Sequence, residues 1–196
     1  MRLFIALDIP GETREAFAAL IAKLRHKCPS AHWVRPEAMH ITLKFIGHAD
    51  PENLPAIHDA LAKLRSPEPI EVHFRGLGFF PSEKRPRVFW CGVDASPNAA
   101  ALSAAMDQAL AKFGVEPENR PFTPHLTLAR FKEGDAHPRG KHAKEAAEIV
   151  NVAHETQEKD FGTICTPEFH LFESKTKPTG AEYTRLETFH FAEAAN

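Results

Sequence analysis

Two short stretches carry side chains whose types and spacing suit acid–base chemistry. "HITLKF" runs from His40 to Phe45, and "HLTLARF" from His125 to Phe131. Each opens His-x-Thr-Leu within alternating apolar and polar residues, the pattern of a half-buried strand. Successive strand side chains point to opposite faces, so His125 and Thr127 share one face while Leu126 and Leu128 share the other. By the same alternation His40, Thr42 and Lys44 fall together, with Ile41, Leu43 and Phe45 on the reverse face. Histidine titrates near neutrality, so one ring can be neutral and a second protonated at working pH. The neutral ring can take a proton from a nucleophilic water and the charged ring can give one to a leaving oxygen, each transfer contributing a factor of about 10²–10⁴. On opposite sides of a phosphate, two such rings match an in-line displacement without a metal. The threonine hydroxyls can donate to non-bridging phosphate oxygens and fix their orientation. An imidazolium also offsets phosphate charge in a partly dry cleft.

The pairing carries the signal, not the single motif. A bare His-x-Thr is expected about 0.7 times by chance in a chain of this composition, and His-x-Thr-Leu about 0.05 times. A third copy, "HET" at His154 to Thr156, runs on into "QEKD" without apolar alternation, and reads as surface. Metal ligation is the weaker reading. Neither motif has a second nitrogen or carboxylate ligand nearby, and two histidines with hydroxyls make a poor zinc site.

The elements that must position these strands follow from hydrophobic period and punctuation. "RLFIALD" predicts a buried N-terminal strand, and "GETREAFAALIAKLRHK" a helix with Phe17, Leu20, Ile21 and Leu24 on one face, ended by Cys28-Pro29. "HWV" predicts a short strand and "MHITLKFIG" a longer one. "PENLPAIHDALAKLR" predicts a second helix, and "IEVHFRGLGFF" and "RVFWCGV" a pair of strands about the basic loop "PSEKRPR". "SPNAAALSAAMDQALAKFG" is a third helix, with Ser96 as cap, Pro97 at its first position and Gly114 beyond its end. "PFTPHLTLARF" is a strand, "KEGDAHPRGKH" a polar loop and "AKEAAEIVNVAHE" a helix. "FGTIC", "EFHLFESKT" and "YTRLETFHF" are strands, with "KPTG" turning between the last two. Adjacent long strands at 70–79 and 87–93, and at 168–175 and 182–191, predict antiparallel pairs and an α+β fold with outer helices. Each half has a motif strand entered after a helix, then another helix and a strand pair. A boundary near residue 95 would separate two lobes, one motif in each.

Composition narrows the class. The chain has 196 residues, 43% hydrophobic and 26% charged, enough for a substantial core. A net charge of -2 argues against a dominant nucleic-acid charge footprint, so an anionic partner must meet a local basic patch. Cys28, Cys91 and Cys165 are odd in number and scattered, which excludes a Cys-x-x-Cys redox or zinc motif and fits a reducing compartment. The start "MRLFIALDIP" is too short in its apolar run, and interrupted by Asp8, to be a signal peptide. No stretch approaches the roughly 18 apolar residues of a membrane span. The expectation is a cytoplasmic protein.

With the paired motifs, the opening "RLFIALD", the segments "HITLKFIG" and "PFTPHLTLAR", and the closing "FESKTKPTGAEYTRLETF", the chain resembles the two-histidine phosphoesterases. Its nearest likeness is to the LigT-like bacterial RNA 2',3'-cyclic phosphodiesterases. The resemblance runs from the first strand to the last. It implies one bilobal α+β domain spanning the chain, with two antiparallel sheets related by a pseudo-two-fold axis and a central cleft. It implies hydrolysis of 2',3'-cyclic phosphate ends of RNA or nucleotides to 2'-phosphomonoesters, with no cofactor or metal, by a monomer that needs no membrane. His40 would be the proton donor and His125 the acceptor, Thr42 and Thr127 would hold the phosphate, and Arg130 would serve the substrate side. Strict alternation puts Arg130 on the leucine face, so a bulge or strand end must turn it. Similar proteins also join tRNA halves through a 2'–5' linkage, using the same site. Arg85, Arg87, Lys132, Arg139 and Lys141 lie in basic loops that would contact RNA phosphates or simply be solvated. Phe4 and Trp90 would stack on a base or, within their apolar runs, belong to the core. The alternatives are an RNA- or nucleotide-binding module without catalysis and a phosphodiesterase for another small cyclic phosphate.

Overall fold

The computed structural model describes residues 1–132, 140–177 and 180–191. Nine strands and four α-helices follow in the order β1 (Arg2–Asp8), α1 (Gly11–Leu24), β2 (His32–Trp33), β3 (His40–His48), α2 (Leu54–Leu61), β4 (Ile70–Phe80), β5 (Val88–Ala95), α3 (Pro97–Leu110), β6 (His125–Arg130), α4 (Ala143–Glu155), β7 (Asp160–Thr166), β8 (Glu168–Lys177) and β9 (Gly180–His190). Every expected element is present, but α2 is shorter than "PENLPAIHDALAKLR" predicts, since Pro51–Asn53 form a 3-10 turn and the α-helix ends at Leu61. β6 starts four residues later than expected, at His125, because Pro121 and Pro124 have no N–H for a ladder. Ser96 takes the N-cap position of α3 without capping through its side chain. Its hydroxyl instead accepts from the Glu71 N–H and donates to Asn98. Pro178 and Thr179 of the expected turn, and Arg139 with most of its loop, lie outside the described residues.

The strands form one curled path, β7-β4-β5-β6-β3-β1-β8-β9, with β2 added alongside β6. Its two four-stranded halves mirror each other about the β6–β3 junction, so β3 corresponds to β6, β1 to β5, β8 to β4 and β9 to β7. The two expected antiparallel sheets are therefore joined through a narrow seam, where Ile41 and Leu126 are the paired residues. The lobes are not the sequence halves. β1 and β3 pair with the C-terminal β8–β9 hairpin, and β6 pairs with β5. Helix α1 follows β1 yet packs on the other half, with Phe17 centred 5.3 Å from Phe74 of β4 and 5.6 Å from Phe161 of β7. Helix α4 lies beside it, with Lys27 paired to Glu148. Helix α3 packs on the half that holds β3 and β1, where the Ser103 hydroxyl donates to the Leu43 carbonyl. Apolar residues of these helices and the inner sheet face make one continuous core, including Phe17, Phe74, Phe89 and Phe169. That core fixes the sheet, and the opposite face carries the motifs.

Candidate active site

The seam places both motifs on one surface. Directly opposed residues of an antiparallel pair point to the same face. Ile41 and Leu126 are opposed and both are fully buried, so their neighbours His40, Thr42, His125 and Thr127 all project to the other face. Continuing the antiparallel register sets His40 across from Thr127 and Thr42 across from His125. The result is a two-fold-related tetrad of two imidazoles and two hydroxyls.

Both rings are oriented alike. His40 Nδ1 lies 2.8 Å from the Ala38 carbonyl, and His125 Nδ1 lies 3.0 Å from the Thr123 carbonyl. A carbonyl only accepts, so each Nδ1 carries the proton and donates. Each neutral ring thus presents Nε2, with its lone pair, as the atom left for chemistry. Edge contacts hold the planes. His40 meets Tyr183 at 5.1 Å and 87°, and His125 meets Phe80 at 4.9 Å and 84°. Phe4 is buried, as expected of core, but it packs 4.7 Å from His40 and stacks on Phe172 at 5.2 Å. It is the floor under the histidine. Trp90 is not core: it opposes Thr127 on the motif face, and its indole packs against Gly78, where it leaves no room for a Cβ.

Two matching β-bulges reset the alternation downstream of each motif. Ile5 pairs with Lys44 and Ala6 with Thr42, leaving Leu43 as the extra residue; Phe89 pairs with Ala129 and Trp90 with Thr127, leaving Leu128 extra. A bulge places two residues against one and inverts the faces beyond it. Leu128 and Ala129 are accordingly both buried, and Arg130 emerges on the motif face. The first motif behaves in the same way, which corrects the strict-alternation reading of it. Lys44 turns inward, 6% exposed, with its ammonium paired to Asp107 and donating to the Glu116 carbonyl at 2.7 Å. Phe45 turns outward, 58% exposed, at the place equivalent to Arg130.

The electrostatics follow from this packing. Burial pushes the His40 pKa down to about 4; the Ala38 carbonyl opposes that, while the Arg130 and His125 charges add to it. Burial also lowers His125, against the Thr123 carbonyl and together with Arg130. Arg130 thus acts on both rings from one position. Both histidines are neutral in the free protein at pH 7, where one neutral and one charged ring was the expectation. Asp8, in the sequence only a polar interruption of an apolar run, pairs in register with His40. Burial raises its carboxyl, but the Ile9 N–H, Arg14 and Arg185 together hold it below the ordinary value. Arg14 donates to it at 2.6 Å and Arg185 also pairs with it, so its charge is committed to fixing the lobe.

The remaining candidates are dispersed. His154 is exposed on α4, with Nε2 2.8 Å from Glu83, away from the tetrad. Arg85, Arg87, Lys132 and Lys141 are exposed in loops. Among the described residues no helix is long and apolar enough to cross a membrane.

Comparison with known proteins agrees with this geometry. The family model described as LigT like Phosphoesterase matches residues 7–90 and 93–183, each stretch holding one His-x-Thr-Leu. The chain belongs to this LigT-like family. Within it, the chain is 32% identical over 190 residues to a Methanothermobacter thermautotrophicus protein named RNA 2',3'-cyclic phosphodiesterase, covering 96% of this chain and 98% of that one. It is 34% identical to a Thermus thermophilus protein of the same name, covering 96% and 89%. Among solved structures, one from Thermus thermophilus superposes with a TM-score of 0.77 at 30% identity, covering 97% and 98% of the two chains. E. coli LigT complexed with 3'-AMP gives 0.73 at 26% identity, covering 98% of each.

Proposed function

We propose that this protein is an RNA 2',3'-cyclic phosphodiesterase. It opens the terminal cyclic phosphate of RNA, or of a nucleotide, to a 2'-phosphomonoester by proton transfer between two histidines. The observation that carries this reading is the seam: one antiparallel pairing brings two imidazoles, each with Nδ1 anchored and Nε2 left for reaction, onto one face beside Arg130.

The free-protein state suits His125 as the base, since its Nε2 is unprotonated and faces away from its carbonyl anchor. It takes a proton from water as the water oxygen bonds to phosphorus in line with the leaving 3' oxygen. The phosphorus–O3' bond breaks, and His40 Nε2–H delivers the proton that makes the 3'-hydroxyl. The product keeps the phosphate on the 2' oxygen; His125 leaves the cycle protonated and His40 neutral, and solvent exchange restores both. His40 must gain its proton when the substrate arrives. The phosphate anion lowers the cost of charging a ring next to it, and it neutralises the Arg130 charge that opposes protonation. Thr42 and Thr127, across the seam from one another's histidines, donate to the non-bridging oxygens. A 5'-hydroxyl in place of water gives a 2'–5' linkage by the same transfers.

The test is incubation with a 2',3'-cyclic mononucleotide and a cyclic-phosphate-ended oligonucleotide in excess chelator. The 2'-phosphate product should form with or without chelator. His40→Ala and His125→Ala should each reduce kcat by about 10²–10⁴ while the fold survives. Activity that needs added metal, or that survives both substitutions, would refute the mechanism.

A further inference from the structure

A cavity of about 650 Å³ opens at one end of the motif face. Its walls come from the end of α1, from β2 and its flanks, from the end of β6 and from the β8–β9 hairpin. Among the described residues the lining includes Arg25, His26, His32, Arg35, Arg130 and Lys177, and no Asp or Glu. In a chain with 26 acidic and 24 basic residues, such a lining is a local departure from the surface average. Trp33 and Tyr183 supply aromatic wall. The Arg35 guanidinium donates to the Ala181 carbonyl at 3.3 Å, so the segment after β2 meets the hairpin at the cavity, while Lys177 is tied to Glu182 within the hairpin itself.

Two residues connect this cavity to the reaction centre. Arg130 lines it and lowers the pKa of both histidines. Tyr183 lines it and contacts the His40 ring at 5.1 Å. A 2',3'-cyclic phosphate ends an RNA chain, so everything else in the strand leaves its terminal nucleoside in one direction, through the 5' oxygen. The volume is within the roughly 300–1,000 Å³ of sites for ligands about the size of a nucleotide. Cationic walls suit a backbone phosphate, and an aromatic wall suits a base.

Resting on the phosphodiesterase reading, we propose that this cavity is a subsite for the nucleotide 5' to the reacting one, with Arg25 and Arg35 holding its backbone phosphate. The natural substrate is then an RNA end rather than a free mononucleotide. These arginines lie outside the loops that sequence alone nominated for RNA, because only the fold brings α1, β2 and the distant hairpin together.

The test compares a cyclic-phosphate-ended trinucleotide with a 2',3'-cyclic mononucleotide. Both arginines are exposed, so the double variant Arg25→Ser/Arg35→Ser should fold. The parent protein should prefer the trinucleotide in kcat/KM, and that preference should shrink in the double variant by about tenfold and in high salt. In parallel, fluorescence anisotropy with a labelled trinucleotide bearing a terminal 2'-phosphate should show weaker binding by the variant. Its salt dependence should be shallower by about 0.7 for each phosphate the variant no longer neutralises. An unchanged preference together with unchanged binding would overturn the subsite, as would an equal loss on both substrates. Displacement of the trinucleotide by an acidic peptide as readily as by unlabelled RNA would also overturn it. Should the parent turn over neither substrate, the phosphodiesterase reading fails. The anisotropy arm then still decides the cavity: weakened binding in the variant supports it and unchanged binding refutes it.

Discussion

The two histidines should give a pH profile unlike that of two ordinary imidazoles. With its pKa pushed down to about 4, His40 is protonated in about one free molecule in a thousand at pH 7 and about one in ten at pH 5. His125 also titrates below its usual value. Reaction from the free protein needs His40 charged and His125 neutral, so kcat/KM should peak below about pH 6.5 and fall close to tenfold per unit toward neutrality. Bound phosphate raises both rings, so the limbs of kcat should lie at higher pH than those of kcat/KM. Arg130→Gln isolates the cause. It removes the guanidinium that lowers both histidines and leaves burial, the larger influence, in place. The kcat/KM bell should then move toward alkaline pH without reaching the profile of exposed histidines, each recovered unit corresponding to about 1.4 kcal/mol. KM should rise as well if, as proposed, the same side chain serves the substrate phosphate. The assay is steady-state hydrolysis of a 2',3'-cyclic mononucleotide from about pH 4 to 9, alongside NMR titration of the two rings. A kcat/KM maximum at or above pH 7 that coincides with kcat, or an Arg130→Gln profile that stays put or moves to acid, would refute the reasoning.

Gly78→Ala tests the Trp90 seat: a Cβ there would stand 2.4 Å from the indole Cη2, so the ring must move by about 1 Å. Overpacking of this kind costs about 1–3 kcal/mol, which should lower Tm by roughly 2–12 °C and reduce kcat/KM through Thr127; an unaltered melt and activity would contradict the seat. Lys44→Met should leave Asp107 and the Glu116 carbonyl without their donor. The expected loss is about 3 kcal/mol, the low end for a broken buried pair, because the Asp107 side chain is 20% exposed; urea unfolding measures it. Phe45→Ala removes a ring that is 58% exposed, so stability should stay within about 0.5 kcal/mol. KM for a cyclic mononucleotide should nonetheless rise several-fold if the ring stacks on the base, and an unchanged KM would remove it from the substrate face.

Much of this architecture is legible from period and punctuation because those signals are local. "AKEAAEIVNVAHE" predicts α4 residue for residue, and the strand pairs at 70–79 with 87–93 and at 168–175 with 182–191 need only a short connection. Partner choice across the chain is not local. Nothing in "RLFIALD" says that it will bind β3 on one edge and the C-terminal hairpin on the other, and for that reason the lobes interleave where a simple halving was expected. The histidine anchors are equally silent, since every residue offers a carbonyl and only the backbone path selects those of Ala38 and Thr123. The lowered pKa values depend on burial that the motif does not encode.

The bulges are the most instructive omission. "LKF" and "LAR" contain no glycine or proline to announce an extra residue, yet each shifts the period by one and exchanges which side chain is buried. Lys44 can go inside only because Asp107 and the Glu116 carbonyl await it on the helix side; Ala129 goes inside because it is small and apolar. The same backbone device then presents different chemistry at its two outward positions, a guanidinium at Arg130 and an aromatic ring at Phe45. A symmetric pair of bulges thus builds a cleft with unlike ends. Arg130 adjoins the basic cavity, whereas Phe45 neighbours Phe4, at 6.3 Å, on the aromatic floor under His40. The proposed function therefore predicts one favoured orientation for a cyclic phosphate entering such a cleft. In the proposed mechanism two histidines that the backbone makes equivalent take distinct roles, donor and acceptor, because the side chains around them differ.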